Sequence, residues 1–375
     1  MQKIFWGIFV IFALFVPVQG QETTEVTETT IGPLTITHDE AWYPFEGPGG
    51  SIVIAEFDPE QISETNPIAD DATIVQMRLI GLNRVSGLPG EQRTPENLLG
   101  GLLAGSAASP PEELPEITVI DGENFSFARA DVSNEEVSSY VYTTILSDAT
   151  FAILTFSTNA DAAVLETTEP DLIAMLDTIA LDFEAPIPEN TYDTLAQSVT
   201  ETGLPALGNA DAPITIMEIS SFDCPHCRNF YANLLPELLP YVEAGDVYFV
   251  YVPIYGTGGI PNGDSAARAA VCVGEENFWA YHNALFSWQD FGGFAFAYER
   301  LQAGASAIGM NTEEFDACYS SDAINEVLTT ARQVTYDALG EAWRTPTIMI
   351  NGVVLDQLSK ETLIEAIDSL LEQSQ

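Results

Sequence analysis

Two closely spaced cysteines, Cys224 and Cys227, lie in the stretch SFDCPHCRNFY, residues 221–231. Such a pair serves as a structural crosslink, as part of a metal site or as a reactive dithiol. A structural zinc site needs four ligands, commonly from two close pairs, but the chain's other cysteines, Cys272 and Cys318, are far apart in sequence. A crosslink across two residues closes too small a loop to stabilise the fold much. The spacing therefore favours a redox-active dithiol.

The residues around the pair favour the same chemistry. An apolar strand pattern, ITIMEISSF, precedes the pair, and a helical pattern follows it. Cys224 is thus predicted at a helix N-terminus, where unpaired N–H groups and the helix dipole stabilise a thiolate. Pro225 suits the first turn because it has no N–H to satisfy, and His226 adds a donor and, when protonated, a positive charge. Each effect lowers the pKa of Cys224, which makes its disulfide more oxidising.

The second half of the chain predicts a strand–helix–strand unit followed by helices. The strands are ITIMEISSF and DVYFVYVPI, and one helix, residues 224–245, is predicted between them. Helical patterns cover 264–288 and 311–340, and TPTIMINGVVL is predicted as a hairpin with NG at its turn. A last helix follows. This order is that of an α/β thioredoxin-like domain with an inserted helical subdomain.

Three segments resemble the DsbA-like thiol:disulfide oxidoreductases. GNADAPITIMEISSFDCPHCRNFY looks like the active-site segment of that family, and AARAAVCVGEENFWAYHNALF resembles its helical insertion. TPTIMINGVVL matches the stretch in which the family keeps a cis-proline facing the dithiol. The resemblance covers residues 204–375.

The resemblance implies roles for the residues of the site. Cys224 is the exposed nucleophile that forms the mixed disulfide, and Cys227 is the buried resolving cysteine. Pro225 and His226 tune the reduction potential. Glu218 matches a buried acid that handles protons near Cys227, and an ordinary strand carboxylate remains the alternative.

The loop after the helical insertion is the other implied part of the site. Thr345 and Pro346 match the loop that faces the dithiol through a cis peptide bond. Arg344 stands where the family often has glycine; it either lowers the pKa of Cys224 or points to solvent. Cys272 and Cys318 match a region that some relatives hold with a second disulfide, and two free buried thiols are the alternative.

The function that this resemblance implies is a dithiol oxidase for secreted or cell-envelope proteins. Its partners are reduced or unfolded secreted proteins and a membrane quinone-linked protein that reoxidises it. It needs no cofactor beyond the Cys224–Cys227 disulfide, and no metal. An isomerase or reductase with the same residues is the first alternative. A non-enzymatic envelope binding protein on a thioredoxin scaffold is the second.

Residues 33–183 are predicted to form an α+β sandwich, in which two helices cover an antiparallel sheet. One helix is predicted at TPENLLGGLLAG and the other at EPDLIAMLDTIALDF, with Pro170 near its start. HDEAWYPF, GSIVIAEF and MLDTIALDF weakly resemble the PsbP-like fold. This half has no cysteine, and we interpret its one histidine, His38, as a surface residue.

The N-terminus has the pattern of a signal peptide. Lys3 precedes an apolar run, and small residues suit cleavage after Gly20, so we predict a signal peptide over 1–20 and a flexible spacer over 21–32. An uncleaved membrane anchor is the alternative. Either reading predicts an extracytoplasmic protein, where disulfides persist.

The remaining features are a linker and an unusual charge. The polar, proline-rich residues 184–203 are predicted as a linker, with a short helix near 192–199. The 375 residues include 56 acidic and 11 basic side chains, for a formal charge of −45. This charge excludes nucleic acid as a partner, because binding needs clustered lysine and arginine.

Overall fold

The computed structural model describes residues 26–48, 51–61, 72–82, 85, 92–105, 114–147, 150–159 and 162–373. The chain forms two compact units that divide between Asp182 and Phe183. The predicted signal peptide and the first residues of the predicted spacer lie outside the described residues. Within these ranges, no helix is both long and apolar enough to cross a membrane.

The first unit is built on an antiparallel sheet with the strand order β3-β4-β5-β9-β8-β7-β6 and a smaller sheet with the order β1-β2-β10. Its described strands are β1 (Val26–Ile31), β2 (Leu34–Asp39), β3 (Tyr43–Glu46), β4 (Ile52–Ala55), β5 (Thr73–Gly81), β6 (Ile117–Asp121), β7 (Ser126–Asp131), β8 (Ser138–Ile145), β9 (Thr150–Thr158) and β10 (Ala180–Leu181). Its described α-helices are α1 (Pro95–Gly105) and α2 (Ala162–Leu176).

The two helices cover opposite faces of the large sheet. Ala128 and Ala130 of β7 share a buried apolar cluster with Leu99 of α1. Arg129, between those alanines, points to the other face and pairs with Glu169 of α2 at 2.7 Å. Successive side chains of a strand point to opposite faces, so α1 and α2 lie on opposite sides. The predicted sheet-rich α+β unit is confirmed, and the PsbP-like resemblance stays a prediction.

The sequence patterns missed parts of this unit. Part of the predicted flexible spacer forms β1, because VTETTI is rich in β-branched residues and pairs with β2 from Val26↔Asp39 to Ile31↔Leu34. Helix α2 begins at Ala162, so Pro170 lies inside it. His38 is buried, not on the surface: its Nε2 bonds the Thr29 hydroxyl at 2.8 Å.

The second unit is built on a six-stranded mixed sheet with the order β11-β12-β14-β13-β15-β16. Its strands are β11 (Gln197–Val199), β12 (Pro205–Leu207), β13 (Ile214–Ser221), β14 (Val247–Ile254), β15 (Thr347–Ile350) and β16 (Val353–Val354). Its α-helices are α3 (Pro225–Asn233), α4 (Leu235–Glu243), α5 (Gly263–Cys272), α6 (Phe278–Trp288), α7 (Tyr298–Ala307), α8 (Thr312–Tyr319), α9 (Asp322–Leu339) and α10 (Lys360–Gln373). A 3₁₀ helix, Gln289–Phe294, follows α6.

The centre of this sheet positions the dithiol. β13 runs parallel to β14 and antiparallel to β15. Every residue of β14 is buried, as expected for a strand covered on both faces. Helices α5 to α9 form the insertion between β14 and β15.

Two predictions for this unit need correction. The single helix expected over 224–245 breaks at Leu234, because Pro236 has no N–H to continue the helical ladder. The predicted linker is part of the unit: β11 pairs with β12, and residues 191–194 form a turn where the short helix was expected. Tyr192 in that turn is buried, with its ring centroid 5.4 Å from that of Trp279.

Candidate active site

The dithiol lies where β13 ends and α3 begins. Cys224 is the N-cap residue of α3, with extended backbone angles (φ −98°, ψ 119°), and Pro225 occupies the first turn. The Cys224 carbonyl oxygen accepts a hydrogen bond from the Arg228 N–H at 3.1 Å. Cys224 therefore lies at the N-terminus of α3, as the sequence predicts, where the first N–H groups of the helix have no partner within it.

Cys224 and Cys227 are free thiols, and both side chains are buried. Cys227 is fully buried, and its sulfur accepts a hydrogen bond from the Ser221 N–H at 3.4 Å. The expectation that Cys224 is exposed needs correction, since only 3% of it is accessible. Its thiol donates to the Thr345 carbonyl oxygen at 3.6 Å, because the Thr345 loop closes over it.

The two thiols differ sharply in acidity. The Cys227 thiol donates to the Cys224 sulfur, and this bond is the main cause that lowers the pKa of Cys224 to about 5. The Thr345 side chain and the backbone N–H groups of Cys227 and His226 add smaller effects in the same direction. Burial raises the pKa of Cys227. Cys224 is thus the sulfur suited to be a thiolate, and Cys227 the one suited to hold a proton.

His226 and Pro225, the residues between the cysteines, are both exposed. The His226 backbone N–H contributes to the low pKa of Cys224. Because the imidazole lies in solvent, any effect of its charge on the thiolate is screened by water.

The loop that faces Cys224 contains a cis peptide bond between Thr345 and Pro346. The Thr345 hydroxyl forms a 2.7 Å hydrogen bond with the Thr257 hydroxyl, from the loop after β14. Arg344 is exposed. The structure therefore brings Thr345 and Pro346 to the dithiol and directs Arg344 toward solvent.

Asp223, which precedes the first cysteine, is a buried carboxylate that the sequence analysis missed. It is 3% exposed, and its Oδ2 accepts a hydrogen bond from the Gly256 N–H at 3.2 Å. A Cβ at Gly258 would lie 1.7 Å from the Asp223 carbonyl oxygen, and one at Gly263 would lie 2.6 Å from its Cγ. The glycine-rich segment YGTGGIPNG is the sequence signal for this close approach.

Gln289 was also missed. It is buried, and its Nε2 donates to the carbonyl oxygens of Phe222 (2.7 Å) and Cys224 (3.2 Å). These bonds hold the turn between β13 and α3. No local pattern marks this residue, because its partners are more than 60 positions away.

Glu218 lies on β13 among buried polar groups. It is 1% exposed, and burial raises its pKa to about 8 despite the nearby Ser220 hydroxyl. Tyr251 is its partner residue on β14. Within the described residues, neither Glu218 oxygen has a hydrogen-bond partner, nor do Ser220 Oγ, Tyr251 Oη and His282 Nε2. Such groups are rare in folded proteins, and the role of Glu218 as the acid near Cys227 stays a prediction.

His282 of α6 lies among aromatic side chains. It is fully buried, and seven aromatic rings have centroids within 6.5 Å of its own. Burial lowers its pKa to about 3, so the imidazole is neutral.

Cys272 and Cys318 form a disulfide that joins α5 to α8, with a sequence separation of 46. They are therefore not two free thiols. In the described parts of the chain, no group of three or more histidine, cysteine, aspartate or glutamate residues is arranged to hold a metal ion.

The comparisons with known proteins concern this unit. Residues 200–369 match the family model described as Thioredoxin. A protein of Rickettsia bellii, provisionally named protein-disulfide oxidoreductase, is 29% identical over 171 residues, which cover 45% of this chain and 64% of the relative. Disulfide bond formation protein D of Bacillus subtilis is 29% identical over 109 residues, 27% of this chain and 46% of the relative. The matched regions thus span 46–64% of these curated relatives.

Among solved structures, oxidised BdbD from Bacillus subtilis aligns at 23% identity over 48% of this chain and 97% of that chain, with a TM-score of 0.42. The family match and the observed sheet order agree with each other. The C-terminal half is a thioredoxin-like domain with a helical insertion, so the predicted fold of this half is confirmed.

Proposed function

We propose that the chain is an extracytoplasmic thiol:disulfide oxidoreductase that acts as a dithiol oxidase and donates the Cys224–Cys227 disulfide to secreted or envelope proteins. The observation that carries this proposal is the difference between the two sulfurs. The pKa of Cys224 is lowered to about 5, whereas burial raises that of Cys227. A stabilised thiolate favours the reduced dithiol, and its disulfide is correspondingly oxidising. The names of the two curated relatives support this class of reaction.

In the first step, a substrate thiolate attacks the Cys224 sulfur. The bond between Cys224 and Cys227 breaks, a bond between Cys224 and the substrate forms, and the electron pair passes to the Cys227 sulfur. A thiolate at this buried position is unfavourable, so Cys227 takes up a proton. Glu218 is protonated at neutral pH because its pKa is about 8, and we assign it as the donor.

In the second step, another substrate thiolate attacks the substrate sulfur of the mixed disulfide. Cys224 leaves as a thiolate, and its low pKa makes it a good leaving group. The substrate has then lost two electrons and gained a disulfide. The protein holds the two electrons as a Cys224 thiolate and a Cys227 thiol.

The partners in this scheme are reduced polypeptides and a reoxidising protein. A second oxidant must accept two electrons from the dithiol in each cycle, and we propose that a membrane quinone-linked protein does so. The predicted signal peptide, residues 1–20, supports a location outside the cytoplasm. The structural Cys272–Cys318 disulfide is compatible with an oxidising compartment.

The test is the reduction potential of the purified chain, measured by equilibration with glutathione buffers. An oxidase is expected near the value of DsbA, about −120 mV, and a reductase near that of thioredoxin, about −270 mV. A potential at the thioredoxin end would replace the oxidase assignment with the reductase or isomerase alternative. Failure to form a mixed disulfide with a reduced peptide, also in Cys227→Ser, would favour the non-enzymatic binding protein.

A further inference from the structure

A cavity of about 270 Å³ lies between α5 and α9. Arg268 and Arg332 both line it, and Asp264 is the one carboxylate among its described lining residues. The cavity thus has an excess of positive charge in a chain whose formal charge is −45. Its volume suits one side chain more than a large ligand.

Arg332 is an exposed residue at the rim of the cavity, and among the described residues the hydrogen-bonding edge of its guanidinium has no protein partner. Its guanidinium carbon lies 5.3 Å from the ring centroid of Tyr255 and 4.9 Å from that of Trp343. Among the described residues it makes no ion pair or hydrogen bond through its side chain. Stacking uses the face of a guanidinium and leaves the N–H groups of its edge available, and this edge matches the geometry of a carboxylate.

Arg268 supplies a second, fixed positive charge. Its Nη1 donates to the carbonyl oxygens of Tyr319 (2.9 Å) and Ser321 (3.2 Å), and its Nη2 to Asn325 Oδ1. These acceptors are neutral, so they orient the guanidinium without cancelling its charge. The Cys272–Cys318 disulfide fixes the end of α8 beside Tyr319, which forms part of the wall.

The cavity borders the active site through two loops. Tyr255 is two residues before Thr257, whose hydroxyl bonds that of Thr345. Trp343 is two residues before Thr345, and the Thr345 carbonyl oxygen is 3.6 Å from the Cys224 sulfur. Two extended residues span at most about 7 Å, and adding the 3.6 Å contact of Thr345 and the 4.9 Å contact of Trp343 places the cavity edge within about 15 Å of that sulfur. An extended peptide covers this distance in about five residues.

We propose that this cavity binds an acidic side chain of the polypeptide that exchanges with Cys224, about five residues from the reacting cysteine. The inference rests on the proposed function, because it names a feature of the substrate. A chain of this charge repels acidic segments in general. The cavity would let this protein accept acidic substrate segments in which the carboxylate lies about five residues from the reacting cysteine.

The test uses reduced peptides with one cysteine and blocked termini. Each has a glutamate, or a glutamine in its place, five residues before or after the cysteine. We expect one glutamate peptide to exchange with the oxidised protein about fivefold faster than its glutamine counterpart. Arg332→Gln should bring this ratio to one or below, and Arg332→Lys should restore part of it. Arg344→Gln removes the same charge from a residue that is also exposed but does not line the cavity, and it should keep the ratio.

The outcomes separate the two proposals. The cavity assignment would be overturned if, at both positions, the wild type exchanged with the glutamate peptide no faster than with its glutamine counterpart. It would also be overturned if Arg344→Gln lowered the ratio as much as Arg332→Gln does. Absence of exchange with every peptide would instead overturn the proposed function. The cavity is then tested by Trp343 fluorescence during titration with a cysteine-free glutamate peptide. A saturable change that Arg332→Gln abolishes supports binding, and no change contradicts it.

Discussion

At the scale of single residues, the site separates the tasks of its ionisable groups. Cys224 lies at a helix N-terminus and has a pKa of about 5, whereas Glu218 lies behind it, buried, with a pKa of about 8. At neutral pH the first is ionised and the second holds its proton. This combination suits a reaction in which one sulfur leaves as a thiolate and the other takes up a proton.

Glu218→Gln tests the proton donor. The variant cannot donate a carboxyl proton to Cys227, so exchange at pH 7 should slow at least tenfold, while Cys224 still reacts with an alkylating reagent. Glu243→Gln, which removes an exposed carboxylate, is the matched control and should exchange at the wild-type rate. An unchanged rate in Glu218→Gln between pH 5 and pH 8 would remove Glu218 from the mechanism.

His226→Leu tests the residue between the cysteines. The substitution keeps the backbone N–H that acts on Cys224 and removes only the exposed imidazole. We expect the pKa of Cys224 to rise by up to about one unit and the potential to fall by about 30 mV, since both correspond to about 1.4 kcal/mol. Thiolate absorbance against pH and glutathione equilibration measure the two. His226→Gln, which keeps a neutral donor, separates charge from hydrogen bonding.

The opposite outcome for His226 is equally informative. If the pKa of Cys224 falls, or the potential rises, the Cys227 thiol, the backbone N–H groups and the Thr345 side chain set the pKa of Cys224 without help from the imidazole. The exposure of the imidazole makes a small effect more consistent with the structure than a large one.

Local sequence signals predicted the parts of the site that depend on chain neighbours. The positions of Cys224 and Pro225 at the start of α3 follow from a strand pattern, a proline and a helical pattern in sequence. Asp223 and Gln289 could not be predicted in this way. Their importance arises from partners that folding brings together, namely Gly256 and the carbonyl oxygens of the active-site turn.

At the scale of secondary-structure elements, one covalent bond holds the helical insertion together. The Cys272–Cys318 disulfide joins α5 to α8 over a sequence separation of 46. In the chain-entropy model, closing such a loop in the unfolded state contributes about 4 kcal/mol. Peptide mapping under non-reducing conditions should recover this bond from the purified chain.

The variant Cys272→Ala/Cys318→Ala tests its contribution. We expect the free energy of unfolding in denaturant to fall by about 4 kcal/mol, with the Cys224–Cys227 dithiol still able to exchange. The comparison is made with both proteins in the same redox state at Cys224 and Cys227. A loss below about 1 kcal/mol would mean that α5 and α8 hold together mainly through packing.

The predictions of helices and strands succeeded for long segments and failed for short ones. α6 and β14 were predictable because each is a long run with strong periodicity or continuous burial. β11 was not, because three residues carry too little pattern and only pairing with β12 makes them a strand. The break between α3 and α4 was visible as Pro236 in the sequence, but the apolar spacing on both sides favoured one helix.

At the scale of the whole molecule, the redox state of the Cys224–Cys227 pair should change how the stability of the fold depends on pH. The pKa of Cys224 falls from an ordinary value of 9 to about 5 in the folded, reduced chain. Between these values, unfolding makes the thiolate take up a proton, so the stability of the reduced protein rises with pH. This contribution is complete above about pH 9 and is lost as the pH falls through about 5. The oxidised protein has no such group.

The last prediction compares the two forms by thermal unfolding at pH 4.5, 6 and 7.5, with reduced glutathione used to open the Cys224–Cys227 bond alone. The midpoint of the reduced form minus that of the oxidised form should increase over this range by on the order of 5 °C. Taking the difference cancels most other titrating groups, because the 56 acidic side chains are common to both forms. Cys224→Ser removes the thiolate and should flatten the dependence. A difference that stays constant with pH would show that folding does not stabilise the Cys224 thiolate, and the oxidase proposal would lose its physical basis.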